Sequence, residues 1–308
     1  MLTKHLLGAP SAQTSTTQIR EYALITGASQ GLGRALAEEC ARRRLNLILV
    51  ALPESGLGQV ARDLAQRYGV RTEYIETDLT APGSPEAVCQ WIADEGLPVL
   101  VLINNAGVGY NARFEDSTLR ENESCILLNN LALVKLTRLL LPELRRHLRA
   151  FILNVASMAA FFPMPFMPVY GPSKAFILNF SLALRAEMRH TPVSVSVLCP
   201  NGIRTNPACR EKIETHGLAA RITCMDAEPV AACAVRGMLA GKDVIVPGFV
   251  NQAVVALASF VPRSTVCAVV SSFWGKTAGQ GRTKRGRANG GGPAQVCRQA
   301  SNVYGGAQ

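Results

Sequence analysis

Tyr170 and Lys174 stand four residues apart in the segment VYGPSKAF, and Ser157 precedes the tyrosine by thirteen positions. Positions i and i+4 of a helix share a face, so this spacing brings the Lys174 ammonium toward the Tyr170 phenol. A free tyrosine titrates near ~10, too high for efficient proton transfer at neutral pH, and a cation within about 4–6 Å favours the phenolate by about 1–3 units. A hydroxyl from Ser157 beside the phenol would complete a site that holds a carbonyl oxygen and passes it a proton. A helical Tyr/Lys pair alone also fits an ordinary half-exposed face. The elements around it must decide.

Those elements read as an alternation. Between residues 21 and 247, seven short apolar runs (22–26, 46–51, 71–77, 98–104, 150–156, 193–199 and 243–247) are separated by six longer helix-like segments. Such a pattern predicts a parallel sheet with helices on both faces, and right-handed crossovers make it doubly wound. Immediately after the first run comes TGASQGLGRALAEE, with Gly27, Gly31 and Gly33. Glycines permit a tight turn and close backbone approach, while the following helix N-terminus offers free N–H groups and a positive dipole end to a pyrophosphate. Strand, glycine turn and helix in this order supply the context that a bare glycine pattern lacks.

The spacing Thr26-Gly27-x-x-x-Gly31-x-Gly33, followed by Asp78-Leu79, Asn104-Asn105-Ala106-Gly107, Asn129, Ser157 and Tyr170-x-x-x-Lys174, resembles the compact, single-domain short-chain dehydrogenases/reductases. The resemblance covers about residues 20–250. It implies a Rossmann-like α/β fold with a mostly parallel seven-stranded sheet. It also implies an NAD(P)(H)-dependent oxidoreductase that moves a hydride between nicotinamide and a secondary alcohol/ketone pair. On that reading Tyr170 is the proton donor in reduction and the base in oxidation. Ser157 bonds the substrate oxygen, and Lys174 binds the nicotinamide ribose and lowers the tyrosine pKa. Asn129, preferred to Asn130 for its distance to Ala132 and Thr137, holds a water that links Lys174 to solvent. Thr26, Gly27, Ser29, Gly31, Leu32 and Gly33 form the phosphate turn, and Asp78 meets the adenine. Asn105, Ala106 and Gly107 line the cofactor, and Ile203 and Thr205 flank the nicotinamide amide. The family also implies a homo-oligomer, dimer or tetramer, through the helices around 122–148 and 169–190.

Three positions depart from the family pattern. Ala51 and Leu52 end the second strand, where an acid would select NAD and an arginine NADP. The missing carboxylate removes a repulsion and favours NADP(H), with NAD(H) the alternative and Arg34 or one of Arg42 to Arg44 as the substitute cation. Pro172 falls between Tyr170 and Lys174, which a first helical turn tolerates. Asn201 replaces a loop glycine and is a residue type that accepts positive φ.

Composition bounds the rest. Of 308 residues 48% are apolar, enough for a substantial core. The nine cysteines are scattered and never spaced as Cys-x-x-Cys, which speaks against a disulfide framework and a zinc site; no metal is expected. Residues 1–19 read as a flexible arm whose apolar stretch is too short for a secretory leader. Residues 20–248 form the catalytic domain. Residues 249–274 are apolar but broken at Pro262 and Arg263, each half short of a membrane span. They predict amphipathic helices that close on the body or touch a membrane surface peripherally. The formal charge is +10, and six of the cations lie between Lys276 and Arg298, in the Gly/Arg-rich tail 275–308 that predicts a disordered extension. Nucleic acid is therefore not the expected partner of the body, which is placed in the cytoplasm.

The Phe-, Met- and Pro-rich stretch AAFFPMPFMPV between Ser157 and Tyr170 either borders the substrate mouth or joins the core. An apolar carbonyl such as a 3-oxoacyl thioester or a steroid fits the first reading. The loop 206–224, His216 included, specifies no substrate. Rival classes are a nucleotide-binding scaffold without catalysis and an RNA-associating protein acting through its basic tail.

Overall fold

The computed structural model describes residues 3–5, 21–204, 224–258 and 260–278. Its centre is built from β2 (Tyr22–Thr26), β3 (Asn46–Ala51), β4 (Thr72–Glu76), β5 (Val99–Asn104), β6 (Ala150–Val155), β7 (Val193–Leu198) and β10 (Val244–Ile245). These are parallel, in the order β4-β3-β2-β5-β6-β7-β10. Every residue of β2, β3 and β6 is buried, which explains why these strands are continuous apolar runs rather than alternating ones. The seven-stranded doubly wound α/β sheet expected from the alternation is thus present.

On one face lie α1 (Gly31–Arg42), α2 (Leu57–Tyr68) and α7 (Ala227–Leu239), whose Leu36, Cys40, Leu64 and Val235 pack on Ile25, Leu47 and Leu49. On the other lie α3 (Ser84–Asp94) and α5 (Leu133–Leu144), with Trp91, Leu136 and Leu140 against Leu24, Ile48 and Ile152. A third cluster joins α6 (Tyr170–Glu187) to β7 through Ile177, Leu178 and Val197. The chain order reverses between β2's two neighbours, β3 and β5, so a crevice opens beyond the carboxyl ends of β2 and β5.

Among the described residues one helical stretch, Leu119–Leu144, is long and apolar enough to cross a membrane by length and composition. It contains α4 (Leu119–Ile126), a π-helical turn (Leu127–Ala132) and α5, and its Leu133, Leu136, Leu140 and Leu144 are buried in the body. A capping box starts it: Thr118 Oγ1 accepts the Glu121 N–H at 3.1 Å while Glu121 Oε2 accepts the Thr118 N–H at 2.9 Å.

Within the segment expected to be a flexible arm, β1 (Thr3–His5) pairs antiparallel with β4, Thr3 opposite Glu76 and His5 opposite Tyr74. The exposed edge of β4 supplies the partner that three residues alone lack. A two-stranded ribbon, β8 (Ile203–Arg204) with β9 (Met225–Asp226), follows β7. Two further helices, α8 (Phe249–Ala258) and α9 (Arg263–Ala278), occupy the apolar segment and carry it four residues past its expected limit. Thr205, the loop 206–223 with His216, and the tail from 279 lie outside the described residues.

Candidate active site

The glycine turn sits at the crevice, between the end of β2 and the start of α1. Gly27 and Gly31 take φ of 66° and 55°, a region that side chains other than glycine's rarely adopt. At Gly33 a Cβ would meet the Gly27 carbonyl oxygen at 1.9 Å, so only glycine lets the helix pass so close beneath the turn. Asn105 and Ala106 fasten the turn to β5, both donating their backbone N–H to Thr26 Oγ1 at 3.0 Å. The Asn105 amide donates to the carbonyls of Thr26 (2.9 Å) and Gly27 (3.2 Å), while its Oδ1 is buried and unpartnered. Ser29 is buried in the same turn. The main-chain groups of residues 27–33 are thereby set as a rigid, sterically open cradle.

Leu32 and Asp78 stand differently. The Leu32 side chain is in the core, so only its backbone N–H faces the cradle's work. Asp78 is exposed and accepts both the N–H (2.8 Å) and the hydroxyl (2.7 Å) of Thr80, which fixes the loop after β4. Gly107 is buried, and Ile203 is half-buried in β8.

The second group gathers at α6. Pro172 falls in its first turn, as a proline must, because the helix begins at Tyr170. Lys174 is 2% exposed, and its Nζ donates to the Val155 carbonyl at 3.0 Å and lies 5.7 Å from the Tyr170 ring centroid. Ser157 Oγ accepts the Ala159 N–H at 3.1 Å and is hydrogen-bonded with the Tyr170 phenol. Asn129 is fully buried in the π-helical turn, a distortion of the helix that often marks a functional position. Its Oδ1 accepts the Val108 N–H at 2.8 Å, and its Nδ2 donates to the Val108 carbonyl (3.0 Å) and to Ser173 Oγ (2.9 Å). Asn130 instead donates to the Ser173 carbonyl at 2.8 Å. Asn129, Ser157, Tyr170 and Lys174 are thus brought together.

The expected acidification of Tyr170 by Lys174 is not what the geometry yields. Burial pushes the phenol up to about 12 against the opposing Ser157 hydrogen bond, and burial pulls Lys174 down to about 8. A lysine whose Nζ donates to a carbonyl, rather than to the phenol oxygen, does not outweigh the loss of water around that oxygen.

Residues not singled out by spacing complete the site. A Cβ on Gly109 would lie 2.5 Å from the Tyr170 ring, so this glycine makes room for the phenol. Ser173 Oγ donates to the Tyr170 carbonyl at 2.7 Å while accepting from Asn129, and Cys125 Sγ approaches it at 3.7 Å. Asn104, Asn154 and Ser181 form a buried chain behind the site, with contacts of 2.9 Å at each step. The signals were faint: a second glycine two residues beyond Gly107, and a serine beside the lysine.

Two further expectations are corrected. Asn201 does not take a positive φ; its Oδ1 accepts the Gly202 N–H at 2.9 Å, so its side chain rather than its backbone shapes the loop. Arg42 and Arg43 pair with Glu38 and Glu39, and Arg44 donates to the Tyr68 carbonyl, all at the far end of α1, about 16 Å from its start. Of the four candidate cations only Arg34 is in the first turn, paired with Asp63 at 3.9 Å.

The model of the family described as short chain dehydrogenase matches residues 21–215, and the chain belongs to that family. It is 33% identical over 193 residues to the very-long-chain 3-oxoacyl-CoA reductase of Anas platyrhynchos, covering 60% of each chain. It is likewise 33% identical over 188 residues to the human 17-beta-hydroxysteroid dehydrogenase type 3, again 60% of each. The match thus spans about three fifths of these relatives. Among solved structures, a short-chain dehydrogenase from Sphingobium yanoikuyae in complex with NADPH superposes with a TM-score of 0.66 at 29% identity, over 79% of this chain and 97% of that one.

Proposed function

We propose that this protein is an NAD(P)(H)-dependent oxidoreductase that interconverts a secondary alcohol and a ketone, with an apolar, lipid-like carbonyl of 3-oxoacyl or steroid type as substrate. The carrying observation is the Tyr170 phenol, hydrogen-bonded with Ser157, set against Lys174 and given room by Gly109. The names of the relatives, reductases and dehydrogenases of acyl and steroid carbonyls, support the substrate class.

The residues present fit a dinucleotide. Gly27, Gly31, Gly33 and the backbone N–H groups of Ser29 and Leu32 would hold its pyrophosphate, and Asn105, Ala106 and Gly107 would line its path to Lys174. Asp78, Ile203 and Thr205 complete the proposed contacts. The group supplies or accepts the hydride when bound. We assign NADP(H) as the preferred form, because Ala51 and Leu52 present no carboxylate to a 2′-phosphate and Arg34, half-exposed in the first turn of α1, would exchange its 3.9 Å pairing with Asp63 for one.

Tyr170 holds a proton at Oη at neutral pH, since its pKa is pushed up, and gives it to the substrate oxygen as that oxygen gains charge. Ser157 Oγ orients the same oxygen. Lys174 stands ready to stabilise the phenolate that remains, and Asn129 holds the α6 start in place through Ser173. A relay water at Asn129 would be held by its main chain, because the amide is committed to Val108 and Ser173. A phenol that keeps its proton favours reduction at neutral pH.

Phe162, Met164 and Phe166 are half-buried while Met167 is buried, so the Phe/Met stretch serves both as wall and as core. Exposed Ile126, Leu131, Phe176 and Leu182 on the α4–α5 and α6 helices support a homo-oligomer. A cytoplasmic protein with peripheral membrane contact is the location we favour. A scaffold without catalysis gives no reason for a buried lysine beside a phenol, which costs desolvation energy. The test is oxidation of NADPH and NADH in parallel against a ketone panel. Tyr170→Phe should lower turnover by about 10²-fold or more with cofactor affinity kept; a variant as active as the parent sinks the assignment.

A further inference from the structure

We propose that α8 and α9 dock on an anionic lipid surface and turn the mouth of the site toward it. α8 is apolar except at Asn251 and Gln252, yet Asn251 is its single buried residue. Phe249 is 83% exposed, Leu257 69% and, just beyond the helix, Phe260 87%; Val250, Val254, Val261 and Val269 are exposed as well. So many large apolar side chains left in water within one short segment mark a surface that is covered in use.

Charge identifies the cover. No Asp or Glu follows Asp243, whereas seven Lys and Arg residues do, beginning with Arg263 at the start of α9. Apolar side chains with cations and no acids match the interface of an anionic bilayer, where acyl chains take the first and headgroups the second. A second copy of the chain would bring two such cationic segments together, and an RNA would meet the cations while leaving Val254 and Leu257 in water. Ten and sixteen residues make helices of about 15 and 24 Å, below the ~30 Å hydrocarbon thickness, so they lie in the surface rather than span it.

The root of α8 is tied to the site. Asn251 donates to the Pro247 carbonyl (2.9 Å) and accepts from Asn201 Nδ2 (3.3 Å). The neighbouring Pro200 carbonyl accepts the Met158 N–H at 2.9 Å, one residue from Ser157. α8 therefore leaves the body beyond the carboxyl end of β10, on the same edge of the sheet as Ser157, and an apolar ketone dissolved in the bilayer reaches the site without crossing water. This delivery rests on the ketone reading above; the docking does not.

The test is flotation of the full chain with phosphatidylcholine vesicles, with and without phosphatidylglycerol, at low and high salt. Retention should be about tenfold higher on the anionic vesicles and fall with salt. The double variant Leu257→Ser, Phe260→Ser should lose about tenfold of it while keeping its melting temperature and its turnover of a water-soluble ketone. Equal retention by the variant and the parent overturns the proposal, as does retention indifferent to phosphatidylglycerol. So do retention of RNA in place of vesicles, and a variant that still floats but sediments as a smaller species. Vesicle binding without turnover of any ketone leaves the docking standing and overturns the ketone reading instead.

Discussion

Tyr170 and Lys174 show how far residue spacing carries and where it stops. Four positions on a helix put the ammonium near the ring, but the sign of the phenol's shift is set by burial, which depends on what α6 packs against. Spacing was therefore enough to find the pair and not enough to find its acidity; Gly109, which admits the ring, had no motif of its own. The lysine carries a measurable consequence. Its pKa is 10.5 when unfolded and about 8 when folded, so between those values the unfolded chain binds more protons and stability rises with pH. From about pH 8 to 10 the parent should gain on the order of 2 kcal/mol relative to Lys174→Met, read by denaturant unfolding without added cofactor. Above about pH 10 the raised Tyr170 pKa acts in the opposite direction, so the comparison belongs below it. A gain of equal size in the variant would remove Lys174 as its source.

At the scale of elements, the alternation of apolar runs and helices was legible because parallel strands buried on both faces need continuous apolar sequence. The π-helical turn was not, since nothing in LLNNLA distinguishes it from an α-helical stretch until Asn129 meets Val108. β1 escaped for the same reason: its pairing is a property of β4's edge. The turn and α6 meet at Ser173, whose hydroxyl links the Asn129 amide to the Tyr170 carbonyl. Ser173→Ala should cost about 1–2 kcal/mol, because it leaves a buried amide hydrogen without that acceptor. If the link positions Tyr170, kcat should fall about tenfold with cofactor affinity kept, and Ser173→Thr should restore part of it. Lost stability with unchanged kcat would make the link structural alone.

For the whole molecule, the contacts that build the site run from Thr26 to Asn251, and the strongly basic sequence lies beyond them. The net charge of +10 is thus a poor guide to what the folded body binds, and the catalytic reading does not draw on it. Deleting residues 279–308 removes five cations and no acid, together with none of the hydrogen bonds described around Tyr170 or the glycine cradle. The truncated chain should keep its melting temperature and its kcat/KM for a water-soluble ketone within about twofold, since substitutions away from such contacts shift stability little. Retention on anionic vesicles should nevertheless weaken, because each cation near the surface contributes on the order of 1 kcal/mol and the exposed side chains of α8 remain to hold the rest. Loss of turnover on truncation would mean that the tail reaches the site itself, and the division between a catalytic body and a surface-seeking end would have to be redrawn.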